Sequence, residues 1–403
     1  MSTLLTRRHV ISAAGEIACG SALAFALGGA VVSRAIAADI RQLGPLQPPD
    51  RNGIRLPAGF SSRVLAVSAL PVRDGDFNTG YAWHEFPDGG ATFAQPDGGW
   101  IYVSNSESAA ELGGGASAIR FDAAGRISAA YRILRRTRLN CSGGPTPWGT
   151  WLSCEEIAFG FVYECDPTGS LPAKKLRALG AFKHEAAAVD PLYRRVYLTE
   201  DESDGCLYRY SPRNYPDLSQ GKLEVAIVDA ISGFVSWRAL PLPDPTVNPL
   251  GLLFPTRKQI SASTRFNGGE GIWYHEGIVY FTTKGDNRVW ALDTHTQILR
   301  VVYDFATSPT PVLRGVDNIT ASANGRLLVA EDGGDMQLVA LDTAGNAAPM
   351  LQVDGQSRSE ITGPALNPAG TRLYFSSQRG PFNDGQSLGV TYEVSGPFAA
   401  LLQ

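Results

Sequence analysis

Short apolar runs recur along this chain, and six of them end on a polar, mostly acidic tail: residues 100–107 (WIYVSNSE), 150–156 (TWLSCEE), 195–202 (RVYLTEDE), 278–286 (IVYFTTKGD), 326–333 (RLLVAEDG) and 372–379 (RLYFSSQR). Marking the last apolar residue of each run gives Val103, Leu152, Leu198, Phe281, Val329 and Phe375, spaced by 49, 46, 83, 48 and 46 residues. A repeat near 47 residues with one long interval predicts a ring of four-stranded blades. The long interval holds roughly 36 residues beyond one repeat, and residues 230–265, rich in Pro and apolar side chains, read as an insertion. A hidden seventh blade is the alternative, but a full blade needs some 40 residues or more. The expectation is therefore an all-β, six-bladed propeller over residues 38–403, with an insertion in the middle of the chain.

A second special position lies 11 to 13 residues before each marker: Gly90, Cys141, Glu185, Glu270, Asp317 and Thr362. Between the two comes a reversal such as Asp190-Pro191, Asn324-Gly325 or Pro368-Ala369-Gly370, which makes each pair of runs a β-hairpin. The residue that opens the first strand and the residue that closes the second lie at the same end of a hairpin. If the first strand is innermost, Glu185 meets Glu200, Asp201 and Glu202, while Asp317 meets Glu331 and Asp332. Cys141 then stands with Glu155 and Glu156, and Glu270 beside Lys284 and Asp286.

Crowding that many carboxylates on one face is unfavourable without cations, because like charges a few ångströms apart repel. Calcium, with six to eight oxygen ligands, relieves many of them at once. A thiolate at Cys141 suits a transition metal better. Any one strand-end acid can equally be a solvated loop residue; their recurrence at matching places is what favours a shared site. Lys284 and Arg379 occupy strand ends where other blades carry acids, and either hold a substrate anion or make ordinary salt bridges. His184, next to Glu185, is a ligand or a hydrogen-bonded structural residue.

Composition agrees with many short strands: 403 residues, 44% hydrophobic, with 44 Gly and 26 Pro. A net charge of −4 gives no reason to expect nucleic acid or an anionic membrane as partner. Residues 1–37 read as a twin-arginine signal: Thr6-Arg7-Arg8-His9-Val10-Ile11, a weakly apolar Ala/Gly-rich stretch, then Ala35-Ile36-Ala37 as a cleavage site. This predicts passage through the twin-arginine translocase, delivery to the periplasm or medium, no membrane attachment after cleavage, and a monomer. Four cysteines remain in the mature chain (Cys141, Cys154, Cys165 and Cys206), and an oxidising compartment makes two disulfides the default expectation. The chain has no G-x-S-x-G elbow, no P-loop and no H-E-x-x-H.

From about Phe60 to Glu393 the sequence resembles the PhoX-type alkaline phosphatases, specifically their shorter members. The most specific piece is Asn140-Cys141-Ser142-Gly143-Gly144 leading into residues 146–156 (TPWGTWLSCEE). Further matches are Phe182-Lys183-His184-Glu185-Ala186, Thr199-Glu200-Asp201-Glu202, Glu270-Gly271-Ile272-Trp273, Asp317-Asn318-Ile319 and Glu331-Asp332-Gly333. The resemblance implies an exported hydrolase of phosphate monoesters with two ferric ions (Fe3+) and several calcium ions (Ca2+). By motif it implies Cys141, Glu185 and Glu270 as iron ligands. Glu155, Glu156, Glu200, Asp201, Asp317, Glu331 and Asp332 would mainly serve calcium. The family often has an arginine two residues before the glutamate matched by Glu270; here that position is Gly268, with Arg265 or Lys284 as nearby substitutes for gripping phosphate. Two other functions fit the carboxylates: a calcium-dependent lactonase-like hydrolase, and a non-catalytic propeller with structural calcium. A single hard-cation site has no use for Cys141, which separates them from the first.

Overall fold

A computed structural model of the chain describes residues 40–109, 113–247, 251, 254–383 and 386–398. The predicted signal segment lies outside the described residues. Six antiparallel sheets of four or five strands are arranged as a propeller, numbered here as blades 1 to 6 by the order of their first strands. These first strands are Pro87–Ala94, Asn140–Pro145, His184–Asp190, Gly269–His275, Val316–Ala321 and Ile361–Leu366. Each packs against the first strands of its two neighbours, and the sixth returns to the first, so the innermost strands close a ring around the axis.

The second strands are Trp100–Ser106, Trp151–Glu155, Arg195–Glu200, Ile278–Thr283, Leu327–Glu331 and Arg372–Ser377. They are buried along nearly their whole length rather than on alternate residues. The reason is that both faces of a blade are covered by neighbouring blades, so apolar side chains are needed on each. Six hydrophobic clusters fill the six spaces between blades, one per space. Large aromatics carry several of them: Trp100, Tyr102, Phe121 and Tyr374 stack between blades 6 and 1. Between blades 2 and 3 the first strands approach so closely that a Cβ added to Gly144 would lie 1.7 Å from the Ala187 carbonyl oxygen. Only glycine fits there.

Ring closure uses the start of the chain. The strand Ser61–Val67 completes blade 6 by pairing with Val390–Ser395, and Ile54–Arg55 adds a fifth strand to blade 5. A strand from one chain end completing a sheet begun at the other ties the propeller shut. The long interval in the repeat belongs to blade 3, whose fourth strand Asp217–Val228 is followed by a fifth, Val235–Ala239, and by short helical turns at Pro245–Val247 and Thr256–Lys258.

The expected disulfides are not formed: Cys141, Cys154, Cys165 and Cys206 are all buried free thiols. They are dispersed through the packing. Cys165 sits in the layer between blades 1 and 2, Cys154 and Cys206 in the next layer, and Cys141 at the inner end of blade 2.

Candidate metal centre

At the same end of every blade's first hairpin one pair closes the ladder; a β-bulge follows it directly in blades 1 to 5, whereas in blade 6 the bulge comes after one further pair, Thr362–Ser376. The closing pairs are Pro87–Ser106, Asn140–Glu155, His184–Glu200, Gly269–Thr283, Val316–Glu331 and Ile361–Ser377. A bulge leaves residues unpaired and re-aims their side chains. The residues so placed are Asp88, Cys141, Glu185, Glu270 and Asp317; Thr362, at the matching place in blade 6, stays paired with Ser376. All five carry a ligand-type side chain.

The residue just beyond each second strand gives a second circle: Glu107, Glu156, Asp201, Lys284, Asp332 and Gln378. Together the circles produce four overlapping groups whose ligand atoms lie within 4.8 Å of one another: Asp88–Glu107–Cys141, Cys141–Glu156–Glu185, Glu185–Glu270–Asp317 and Asp317–Asp332–Glu360. Because Cys141, Glu185 and Asp317 are shared, the groups form one continuous arc that draws residues from all six blades, from Asp88 and Glu107 of blade 1 to Glu360 of blade 6.

Burial makes this arc unstable as a set of bare anions. Glu185 is fully buried, Cys141 Sγ donates to its Oε1 at 3.3 Å, and its Oε2 has no hydrogen-bond partner. Burial, then the charge of Glu270, pushes the Glu185 carboxyl well up; burial and Asp317 do the same to Glu270. Asp88 is also driven well up by burial and Glu107, and Cys141 by burial and Asp88. Glu107, Glu156, Asp317 and Glu360 are each raised to about 7, with burial the largest cause. A cation among them reverses that logic by favouring every ionised form. The donor set fits two kinds of ion: carboxylates alone at the Asp317–Asp332–Glu360 end, and carboxylates with one sulfur around Cys141.

Three cationic side chains touch the arc. Lys284 Nζ lies 2.9 Å from Glu270, 3.2 Å from Asp332 and 3.9 Å from Asp317, contacts that hold its pKa well above the usual lysine value despite burial. Lys183 bridges Glu156 at 2.8 Å and Asp201 at 2.5 Å. Arg379 pairs with Glu360 at 2.6 Å. Gln378 Nε2 donates to both Asp88 and Glu107.

The sequence-predicted residues divide cleanly. Cys141, Glu156, Glu185, Glu270, Asp317 and Asp332 all enter the four groups, and Asp201 borders them through Lys183. Glu155, Glu200 and Glu331 enter none. One residue earlier on the strand, they point away from the axis and accept backbone amides instead. Glu155 binds the N–H groups of Arg138 and Phe161, Glu331 those of Arg314 and Gln337. Glu200 accepts from the Cys206 amide, the Tyr208 hydroxyl and Arg257. Arg265 is also corrected: it is exposed and its guanidinium donates to the Asp204 and Arg257 carbonyls and to Cys206 Sγ, away from the arc. Asp286 turns outward to Arg288, so only Lys284 of that strand end meets Glu270. His184 is buried and stacked on Phe182, and its Nε2–H donates to the Gly180 carbonyl at 3.1 Å, which fits the structural reading. Burial lowers its pKa to about 3, so the ring is neutral.

Asp88 and Glu360 were not singled out by sequence. In blade 1 the position chosen, Gly90, stands two residues past the bulge, because that blade's second strand is longer. Counting back from the end of the ladder rather than from the last apolar residue finds Asp88. Glu360 precedes its blade's first strand, at the same offset as Lys183 and Gly268.

The arc's backbone is clamped from the preceding blade. Asn105 Nδ2 of blade 1 donates to the Cys141 and Ser142 carbonyls at 3.2 and 2.7 Å. Thr199 of blade 3 donates to the Glu270 carbonyl at 2.5 Å, and Thr282 of blade 4 to the Asp317 carbonyl at 2.6 Å. All three occupy the next-to-last place of a second strand. Each thereby locks the ligand-bearing bulge of the following blade.

A six-bladed propeller with a buried arc of carboxylates and one thiol at one end of its axis belongs among metal-dependent propeller proteins. Its sequence matches the model of the family Alkaline phosphatase PhoX over residues 89–158 and 157–301, and the chain belongs to that family of exported, metal-dependent hydrolases. Among solved structures it is similar to PhoX of Pseudomonas fluorescens in complex with vanadate, described as a transition state analogue. That likeness has a TM-score of 0.68 and 17% identity and covers 88% of this chain and 97% of the other. A gluconolactonase from Xanthomonas campestris, XC5397, matches at TM-score 0.48 and 12% identity, covering 88% of this chain and 98% of that one. No curated protein sequence matches the chain.

Proposed function

We propose that this protein hydrolyses phosphate monoesters at a centre of iron and calcium ions held by the arc. The observation that carries the reading is Glu185: fully buried, shared by two ligand groups, beside the Cys141 thiol, and with one carboxylate oxygen unpartnered. Such an atom is costly to bury unless something positive is bound.

Cys141, Glu185 and Glu270 would hold iron, since the sulfur and the buried carboxylates make the softer part of the donor set. Asp88, Glu107, Glu156, Asp317, Asp332 and Glu360 would serve calcium. When bound, these ions supply Lewis-acid stabilisation of charge on phosphoryl oxygens and a nucleophile available at neutral pH. The chain's own contribution is positioning. Five bulges fixed by a closed ring hold their donors without a loop having to order. Lys284 and Arg379, both cationic at neutral pH, stand at the rim where a phosphate dianion's outer oxygens would lie and compensate its charge. Gly268, with φ of +67°, leaves open the space beside Asp201 and Glu270: an added Cβ would come within 3.4 Å of the former and 3.8 Å of the latter. Phosphate gripping therefore falls to Lys284 and Arg379 rather than to a side chain from position 268. A protein tuned to one hard cation would leave Cys141 without a role, which sets the lactonase-like and purely structural readings aside.

The test is to export the protein through its own signal, measure iron and calcium, and assay p-nitrophenyl phosphate with and without chelator. Iron and calcium together with chelator-sensitive hydrolysis support the reading. Calcium without iron, and no phosphate released, refutes it. Export is part of the proposal: Arg7→Lys with Arg8→Lys should leave the protein in the cytoplasm, and undiminished periplasmic protein would contradict the twin-arginine route.

A further inference from the structure

Beside the arc, where blades 2 and 3 meet the insertion, lies a partly open cavity of about 60 Å³. Its walls include Ala158, Phe159, Phe182, Lys183, Pro255 and Arg257, and its lining is mainly apolar. Glu202 and Thr256 add polar atoms to the lining, and Lys183 joins the cavity to the centre. Lys183 lines the cavity, and its Nζ lies 2.8 Å from Glu156, a member of the arc.

The cavity is preformed. Phe159 is held at φ +58°, a left-handed conformation that a bulky residue keeps only when its surroundings impose it. The turn around it is closed by the Gly160 N–H to the Ile157 carbonyl at 2.8 Å, and the Phe182 N–H reaches the Gly160 carbonyl at 3.2 Å. The insertion wall is pinned just as firmly, because Arg257 pairs with Glu200, Glu202 and Asp204 at 3.0, 3.0 and 2.9 Å. Its guanidinium is held by three carboxylates, which fixes that wall in place.

We propose that this cavity is a leaving-group subsite: it takes the apolar end of the alcohol portion of a phosphate monoester whose phosphoryl group lies on the arc. The inference rests on the phosphatase reading and adds a substrate class to it. About 60 Å³ is roughly the share of two water molecules in the liquid, ~30 Å³ each, enough for a short branched alkyl group or the leading edge of an aromatic ring. Esters of small apolar or aromatic alcohols are then favoured over esters of polyols, which would strand hydroxyl groups against Phe159 and Pro255.

Binding to the metal-loaded protein separates the subsite from the centre. Inorganic phosphate reports the arc alone, methylphosphonate adds almost no apolar surface, and phenylphosphonate reaches into the cavity. Calorimetry should show phenylphosphonate binding about ten-fold or more tighter than methylphosphonate. Ala158→Leu, which fills the cavity from an exposed position, should erase that advantage, and Phe159→Ala, which opens its wall, should reduce it. Equal binding of the two phosphonates to the unmodified protein, or an advantage that survives Ala158→Leu, overturns the subsite while leaving the phosphatase reading intact. Failure of inorganic phosphate itself to bind overturns the phosphatase reading, and the subsite with it.

Discussion

Three pairs of neighbouring acids, Glu155–Glu156, Glu200–Asp201 and Glu331–Asp332, reach the same end of three blades and do opposite things there. The first member of each pair closes the strand and turns into the blade, where it accepts the amide N–H six residues later: Phe161, Cys206 and Gln337 in turn. The second member lies just past the strand and faces the axis. Successive side chains of a strand point to opposite sides, so one step along the backbone separates a staple from a ligand. The first members are buried and the second only partly so, and buried acids in this molecule tolerate burial differently. A carboxylate that accepts two amides is solvated by the protein itself; Glu185, one oxygen unpartnered and Glu270 nearby, is not. Acidity at a strand end is therefore two signals superimposed.

Substitution should pull the two sets apart. Glu185→Ala should lose iron and reduce phosphatase activity by about 10³-fold or more, the scale expected when Lewis-acid stabilisation is removed. The folded propeller should survive, since the change relieves an anion rather than opening a core. Metal analysis beside circular dichroism reads both, and retained iron would overthrow the assignment. Glu200→Ala should do the reverse. It strips Arg257, the Tyr208 hydroxyl and the Cys206 amide of a shared acceptor, and should cost about 3 kcal/mol in denaturant unfolding with metal content kept. If Glu200→Ala instead releases metal at unchanged stability, the staple account fails.

The propeller was legible because its evidence is periodic: a spacing near 47 residues survives uncertainty of a residue or two in any blade. The bulge residues Cys141, Glu185, Glu270 and Asp317 were legible too, since four hairpins of similar length put them at similar offsets. What could not be read was anything depending on single-residue register. Whether Glu155 or Glu156 faces the axis turns on where the ladder ends. Asp88 was overlooked because blade 1's second strand, Trp100–Ser106, runs longer than its counterparts in the other blades. Glu360 lies beside Asp332 only because blade 6 follows blade 5 around a closed ring, a three-dimensional fact without a local signature. Arg265 looked close to the centre by sequence distance, but the bend at Asn267-Gly268 separates their directions.

Acid–base behaviour offers a way to sharpen the contrast. Glu107, Glu156, Asp317 and Glu360 have folded pKa values raised to about 7, above the ordinary carboxylate range, with burial the largest cause. For a raised carboxyl the folded state binds the proton more tightly than the unfolded chain. Its stabilisation is complete below the unfolded pKa and disappears as pH rises through about 7. The chelated protein should therefore lose melting temperature between pH 5 and pH 8. With calcium and iron bound, the arc is held ionised and its share of that slope should vanish. Glu331, also raised to about 7 but outside the arc, should leave a small residual slope that metal does not remove. Identical slopes with and without metal would mean the arc is not where the ions sit.

The smallest effect expected comes from the clamps. Thr199 reaches from blade 3 to the Glu270 carbonyl at 2.5 Å and touches no ligand atom of the arc. Thr199→Val keeps the volume and removes the hydroxyl, which also accepts the Ala186 N–H at 3.2 Å, so any change in the centre must pass through the positions of the Glu185 and Glu270 bulges. Outer partners of metal ligands commonly contribute about 10- to 100-fold in affinity. With two neutral hydrogen bonds lost and no ligand atom touched, the low end of that range is expected for iron, measured by competition with a chelator. Thr199→Ser, which restores the donor, should recover the affinity. A loss of thermal stability of the metal-free protein without any change in metal affinity would make Thr199 a packing residue only. The same pair of substitutions at Thr282, whose hydroxyl reaches the Asp317 carbonyl at 2.6 Å and the Gly271 carbonyl at 3.2 Å, should shift calcium more than iron. That difference in which metal responds is what a clamp specific to its own bulge requires, and a general softening of the propeller would not produce it.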